Sequence, residues 1–370
     1  MEQSDDLRYP FDQHPSPGTT RELAPGVHWL TMPMPGSLSH INLYLLEDHD
    51  GWFVVDTGLG NEETGGHWQT IFADCLHGKP IKGVICTHMH PDHIGQANMI
   101  TETFRAPLYM TRAEYYQARA FSNSNGSHHS SWLGQDFYAR AGMPADYLQQ
   151  LQQMWAQRSM EAMTMPTMPA GYERLVDGQV LTIGDHDWQI VVGSGHSPEH
   201  ACLYCASLKV MISGDQILPV ITSNVSVHPT EPNANPLRDW MDSLDAFLRT
   251  PADTFVLPAH NLPFYGVRER LRGLISHHDD RMLAIEEACV EPQIAKDLLP
   301  VLFARELDPR QMMMALGEAI AHLHLLIHRN RIERTLAEDG HYHFKSIDPD
   351  LARRAHPDTH DAPSDGPVMV

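Results

Sequence analysis

A layered α/β fold is predicted for this chain, and three observations carry the prediction. Short apolar runs alternate with amphipathic stretches from Val27 onward. Histidines and aspartates collect just after those runs. One run, "IKGVIC", leads straight into "THMHPDHIG", residues 87–95, where three histidines and an aspartate share six positions. Polar clusters at the C-terminal ends of strands are how open α/β sheets build their sites.

Taken in order, residues 1–24 are polar and Pro-rich and are expected to be a loosely held lead-in. Residues 25–263 form the main unit. It opens with the strands "VHWLTM", "INLYLLED" and "GWFVVDTG", followed by a helix in "NEETGGHWQTIFADCLHG" and the buried strand of "IKGVICTH". Residues 111–170 break this rhythm and read as an inserted helical pair, in "RAEYYQARAF" and "DYLQQLQQMWAQRSM". The insert carries Tyr115, Tyr116, Trp132, Tyr138 and Trp155, and methionines at 154, 160, 163, 165 and 168. Such side chains suit an adaptable apolar wall beside the site, although helix packing is the better explanation of any single methionine. Strands resume with "DWQIVVGSG", "ACLYCAS" and "KVMISGD", then a helix, "PLRDWMDSLDAFLRT", and a last strand, "TFVLPAH". Residues 264–347 are mostly helical, with a hairpin turning at Asp339–Gly340. The Pro- and Asp-rich stretch 348–370 is expected to be disordered.

Composition narrows the function. With 370 residues the chain can bury a full core. A net charge of −21 argues against nucleic acid, whose binding rests on clustered Lys and Arg. No apolar run is long enough to span a bilayer, no signal peptide is visible, and the five cysteines show no disulfide framework, so a cytoplasmic protein is expected. Cys202 and Cys205 form a CxxC, but no second pair and no strand-to-helix turn accompany it, so both are read as core thiols.

The 87–95 array is poor building material unless it does chemistry, because four buried polar side chains would each need a partner. His88 and His90, two apart on extended backbone, can point the same way, and Asp92 and His93 begin the next turn. Gly95 lets that turn pack closely. His196 in "GSGHSPEH", Asp215 in "MISGDQILP" and His260 in "FVLPAHN" likewise follow apolar strands. Each alone reads as a cap or turn residue, but three in order form a ligand set for hydrolytic metals.

These motifs, from about Val27 to Pro263, resemble the metallo-β-lactamase superfamily, whose fold is a four-layer αββα sandwich. The resemblance implies two metal ions. His88, His90 and His196 would hold the first, and Asp92, His93 and His260 the second, with Asp215 bridging. Zinc suits imidazole and carboxylate donors, and iron or manganese fit the same set. Asp56 of "VVDTG" matches the family aspartate that braces the metal loop, and Asp92 is a candidate for handling the reaction's proton. Asn261 and Glu199 depart from the glycines common in relatives; Asn tolerates the left-handed turn, while the contact made by Glu199 stays open. His200 reads as a packed neighbour rather than a further ligand. Residues 264–347 are similar to the winged-helix-like extension of the lactamase-like protein 2 branch, and their interspersed charges point to packing or a homodimer contact rather than DNA. His277, His278, His322 and His324 are read as structural.

The expected activity is hydrolysis of a thioester or carboxylic ester through a hydroxide held between the two metals, on a small molecule with an apolar or acyl portion. A lactonase needs the same metals in a differently shaped pocket. A regulatory or binding protein acting through its C-terminal module is the alternative from another class.

Overall fold

Alternate residues of the strands face different cores, and this divides the molecule into layers. The structure, a computed structural model, describes residues 7–36, 38–124, 131–150, 153 and 167–348. Leu43, Leu45, Val54 and Val84 lie in one core with Trp68, Ile71 and Ile100. Their neighbours Tyr44, Leu46, Val55 and Ile85 face the other way, into a core shared with Trp188, Ile190, Leu203, Ile212 and Leu257. A third core gathers Cys202, Met211 and Val256 with Trp240, Leu244, Leu271 and Leu323. Helix, sheet, sheet, helix is the result: the αββα sandwich. Cys202 and Cys205 fall in different cores, so they are buried thiols on opposite faces of one strand.

The first sheet runs β1 (Arg21–Ala24), β2 (Val27–Pro33), β3 (His40–Asp48), β4 (Gly51–Val55), β5 (Ile81–Ile85), β6 (Leu108–Thr111) and β7 (Glu173–Leu175) in spatial order. The first four are antiparallel, and β4 to β7 are parallel. The second sheet has the order β12-β11-β10-β9-β8, from β8 (Val180–Ile183), β9 (His186–Gly193), β10 (His200–Cys205), β11 (Val210–Gly214) and β12 (Phe255–Pro258). Its β11 and β12 are parallel, and β9 runs the same way because both flank the antiparallel β10. The C-terminal ends of β4, β5, β9, β11 and β12 therefore carry the residues singled out above.

Helices α1 (Glu62–Asp74) and α2 (Ala97–Phe104) cover the outer face of the first sheet. Asn61 caps α1 by accepting the Thr64 N–H, and Trp68 and Ile71 supply its buried face. The insert contributes α3 (Arg112–Ser124) and α4 (Trp132–Arg140). Its expected first residue, Thr111, ends β6 instead, held by pairing with β7. The expected helix over 146–160 is described at 146–150 and 153, where it is helical; Trp155 and the methionines at 154, 160, 163 and 165 lie outside the described residues.

Helices α5 (Pro236–Phe247), α6 (Val267–Ala288) and α7 (Pro309–His328) cover the second sheet, so residues after 264 share a core with the sandwich. The small sheet β13 (Gln293–Ile294), β14 (Ile332–Leu336) and β15 (Tyr342–Ser346) follows, and β14 and β15 form the hairpin expected around Asp339–Gly340. The lead-in is not loose over its described part. Arg8 and Tyr265 exchange backbone hydrogen bonds of 3.1 and 2.9 Å, and Phe11 packs on Trp29 and Phe255. Paired backbone and a half-buried aromatic outweigh the Pro-rich composition there. The stretch 349–370 lies outside the described residues. Among the described residues no helix is long and apolar enough to cross a membrane.

Candidate metal centre

The backbone turns before the ligands do. At the end of β4, Asp56 adopts φ 60°, a left-handed conformation that Asp tolerates better than most residues. That turn aims its carboxylate at the next loop. One oxygen accepts the Thr87 N–H at 2.8 Å, and the other accepts from Nδ1 of His93 at 2.8 Å. The Thr57 N–H in turn donates to the His93 carbonyl at 2.8 Å. A single helical turn, Pro91–Ile94, then presents Asp92 and His93. Gly95 follows because a Cβ there would stand 2.2 Å from the Gly60 nitrogen and 2.3 Å from the Gly58 carbonyl oxygen.

The other three ligand-type residues are fixed with equal care. His196 donates from Nδ1 to the Asn224 carbonyl at 2.7 Å, and His260 from Nδ1 to the His40 carbonyl at 3.2 Å. In both rings the other nitrogen is left for the site. Asn261, with φ 67°, makes the left-handed turn after His260. The Asp215 N–H donates to Nε2 of His200 at 3.1 Å, and the His200 ring stacks on His88. Gly214 (φ 51°) makes room, since a Cβ would meet the His200 ring nitrogen at 2.5 Å. His200 is thus a packed support, with its ring nitrogen engaged by backbone.

The side chains converge in two groups. His88, His90, His196 and Asp215 bring their donor atoms within 4.8 Å of one another, and so do Asp92, His93 and His260. Asp215 reaches both. Its Oδ2 lies 3.8 Å from Nε2 of His88, 3.4 Å from that of His196 and 3.5 Å from that of His93; its Oδ1 lies 3.4 Å from Nε2 of His260. Asp92 stands 3.6 Å from His93 and 3.4 Å from His260.

Electrostatics match this geometry. Burial would raise the Asp215 carboxyl, but the imidazoles of His260 and His93 hold it well below the usual range. Asp92 is likewise pulled down to about 2, against burial, by His93 and His260. Burial and neighbouring imidazoles keep His88 neutral, and they lower His90 to about 3. His93 is the exception: burial opposes its charge, but Asp56, Asp92 and Asp215 outweigh burial and raise it.

The residues fit a pair of metal ions. Nε2 of His93, Nε2 of His196 and Oδ1 of Asp215 are buried without a hydrogen-bond partner among the described residues. Orphaned buried polar atoms are expensive unless something ligates them, and these three point into one space with imidazole and carboxylate chemistry.

A further residue was not singled out from the sequence. Glu114, in the first turn of α3, is fully buried. Its carboxylate accepts the Met89 N–H at 3.0 Å and the Glu199 N–H at 2.8 Å, so one side chain ties the His88–His90 segment to the His196 loop. Burial raises its pKa, opposed by the Ser197 hydroxyl and those two N–H groups. Glu199 returns the contact by accepting the Ala113 N–H at 2.9 Å, which turns its carboxylate to the start of α3. In the sequence Glu114 looks like any acid in a helix's first turn.

Comparison with known proteins follows the same lines. Residues 36–260 match the family described as the metallo-beta-lactamase superfamily. Residues 282–347 match the metallo-beta-lactamase-like C-terminal domain. A beta-lactamase domain protein from Burkholderia ambifaria superposes with a TM-score of 0.83 at 40% identity, covering 92% of this chain and 97% of that one. A metallo-beta-lactamase family protein from Thermus thermophilus gives 0.72 at 26%, covering 88% of this chain and all of that one. The acyl-coenzyme A thioesterase MBLAC2 of Bos taurus is 24% identical over 205 residues, which is 53% of this chain. The match spans 65% of that thioesterase, less than two thirds of its length.

Proposed function

This chain belongs to the metallo-beta-lactamase superfamily, and on that premise we propose that it is a dinuclear metal-dependent hydrolase of thioesters or carboxylic esters. The observation that carries the reading is Asp215, whose carboxylate lies within 3.8 Å of histidines from both groups. His88, His90 and His196 would hold one ion, Asp92, His93 and His260 the other, and Asp215 both. Zinc suits the donors best. When bound, two such ions supply a water ionised near pH 7 and an electrophile for a carbonyl oxygen.

The chain's own residues then have distinct tasks. Asp56, the Asn224 carbonyl and the His40 carbonyl each take an Nδ1 proton, which leaves Nε2 of His93, His196 and His260 as donors. Asp92, ionised at neutral pH, can accept the nucleophile's proton and return it to the departing thiol or alcohol. Glu114 keeps the two loops of the first group in register. Because α3 starts at that brace, the insert is the segment we assign to substrate choice, with an acyl chain or other apolar group against it. The bovine relative's thioesterase name supports an acyl thioester as the first substrate to try.

Metal analysis of protein purified without chelator, together with turnover on a panel of acyl thioesters, carboxylic esters and lactones, tests the reading. About two ions per chain and preferred thioester or ester turnover are expected. No metal after reconstitution with zinc, iron or manganese would remove the hydrolase reading. Preferred lactone turnover would remove the substrate half alone.

A further inference from the structure

A cavity of about 170 Å³ lies away from the metal centre, between α4 of the insert, α7, the β14–β15 hairpin and residues 232–233. Two guanidiniums converge in it over one ring: Arg334 stands 4.5 Å and Arg140 5.4 Å from the centre of Tyr342. Bringing like charges together is unfavourable unless each is balanced. Arg140 is balanced, by Asp136 at 2.9 Å and by a hydrogen bond to the Tyr342 hydroxyl at 2.7 Å. Arg334 has no carboxylate among the described residues. Its contacts are two neutral acceptors, Nε2 of His324 and Oδ1 of Asn233, both at a long 3.4 Å. His324 gives its Nδ1 proton to the Ala234 carbonyl at 2.7 Å, and burial disfavours a second proton on it. The lining therefore carries one more positive charge than negative, in a chain whose net charge is −21. The rest of the wall is apolar, with Phe137, Ile320 and Phe344.

We propose that this cavity binds a small oxyanion with an apolar body, a carboxylate or phosphate monoester about the size of benzoate. Its charge pairs with the Arg334 guanidinium, a fork that matches either oxyanion. Its body lies against Phe137 and Ile320. The site is distinct from the metal-ligand groups, and the inference does not depend on which metals they hold.

Isothermal titration calorimetry on the full, metal-loaded chain tests this with benzoate, phenyl phosphate and the neutral benzamide. Three proteins are compared: the wild type, Arg334→Gln, and Leu133→Trp, which adds bulk at a lining position and leaves the charges unchanged. At least one anion should bind the wild type, and the tighter of the two assigns the source as carboxylate or phosphate. Arg334→Gln should weaken that anion ~10- to 100-fold, the range for losing a charge-assisted contact. Leu133→Trp should also weaken it, and benzamide should bind far less well than benzoate. Should either variant fail to fold, as read by its thermal midpoint, the other decides. The proposal is overturned if neither anion binds, if affinity is unchanged in the folded variants, which would place binding elsewhere, or if benzamide binds as tightly as the anions.

Discussion

Oδ2 of Asp56 accepts the Nδ1 proton of His93 at 2.8 Å, from a backbone turn with φ 60°. The hydrogen bond fixes the tautomer that leaves Nε2 of His93 for a metal. Asp56→Asn keeps the shape and tolerates the same turn, but it removes the negative charge. We expect the second ion to bind about 10- to 100-fold more weakly, the usual scale for losing a ligand's supporting partner. Chelator competition with the variant and the parent reads this directly; equal affinities would remove Asp56 from the role.

Asp215→Asn takes a charge from between the two groups while preserving volume. Metal content should fall from about two ions per chain towards one, with turnover lost, and the second ion should weaken most. Retention of both ions and full activity would show that Asp215 does not bridge.

Glu114→Gln places an amide NH₂ against one of two backbone N–H donors. Losing a buried, charge-assisted contact of that kind is worth about 2–3 kcal/mol. The first ion should be weakened more than the second, which the absorption spectrum of cobalt-substituted protein can follow. Glu199→Ala should be milder, because both loops keep their bonds to Glu114. Equal losses from the two substitutions would mean that Glu114 acts only through general packing.

Glu318 on α7 is pushed up to about 7 by burial, opposed by Arg281 and Asn224. Its folded pKa is above its unfolded one. The protonated side chain therefore contributes stability that is complete below about pH 4.5 and is lost as pH rises through about 7. Glu318→Gln mimics the neutral form. Relative to wild type, its unfolding free energy should rise with pH across that window, by on the order of 3 kcal/mol. Denaturant titrations at pH 5 and pH 8 compare the two; a difference independent of pH would contradict the raised pKa.

Tyr116 and Trp132 of the insert are 60% and 77% exposed. Replacing both with Ala should change KM or reorder the thioester panel while metal content stays near that of the parent. An altered oligomeric mass with an unchanged substrate ranking would instead make this surface a subunit contact.

How much of this was legible beforehand follows from range. Strand alternation is local, so the layers could be read from runs such as "INLYLLED", where successive residues face opposite cores. The seven ligand-type residues could be picked out for a related reason: the four segments that carry them follow apolar strands, and parallel strands bring such ends to one edge. Asn261 could be anticipated as well, since backbone tolerance belongs to the residue type itself.

Other features were decided only when distant segments met. The lead-in is ordered because Arg8 pairs with Tyr265, more than 250 positions away, and no local composition announces that. Glu114 is a surface-type acid in a helix's first turn until the fold buries it between two loops. The leucines of the residues after 264 lie in one core with Trp240 and Val256, a packing that no local period announces. Which side chains could ligate and which faces were apolar was already written in the order of residues, because both are properties of residue type and short-range period. Which carboxylates support those ligands, and which charges are left unbalanced, emerged only on folding, because hydrogen bonds and desolvation depend on neighbours far along the chain.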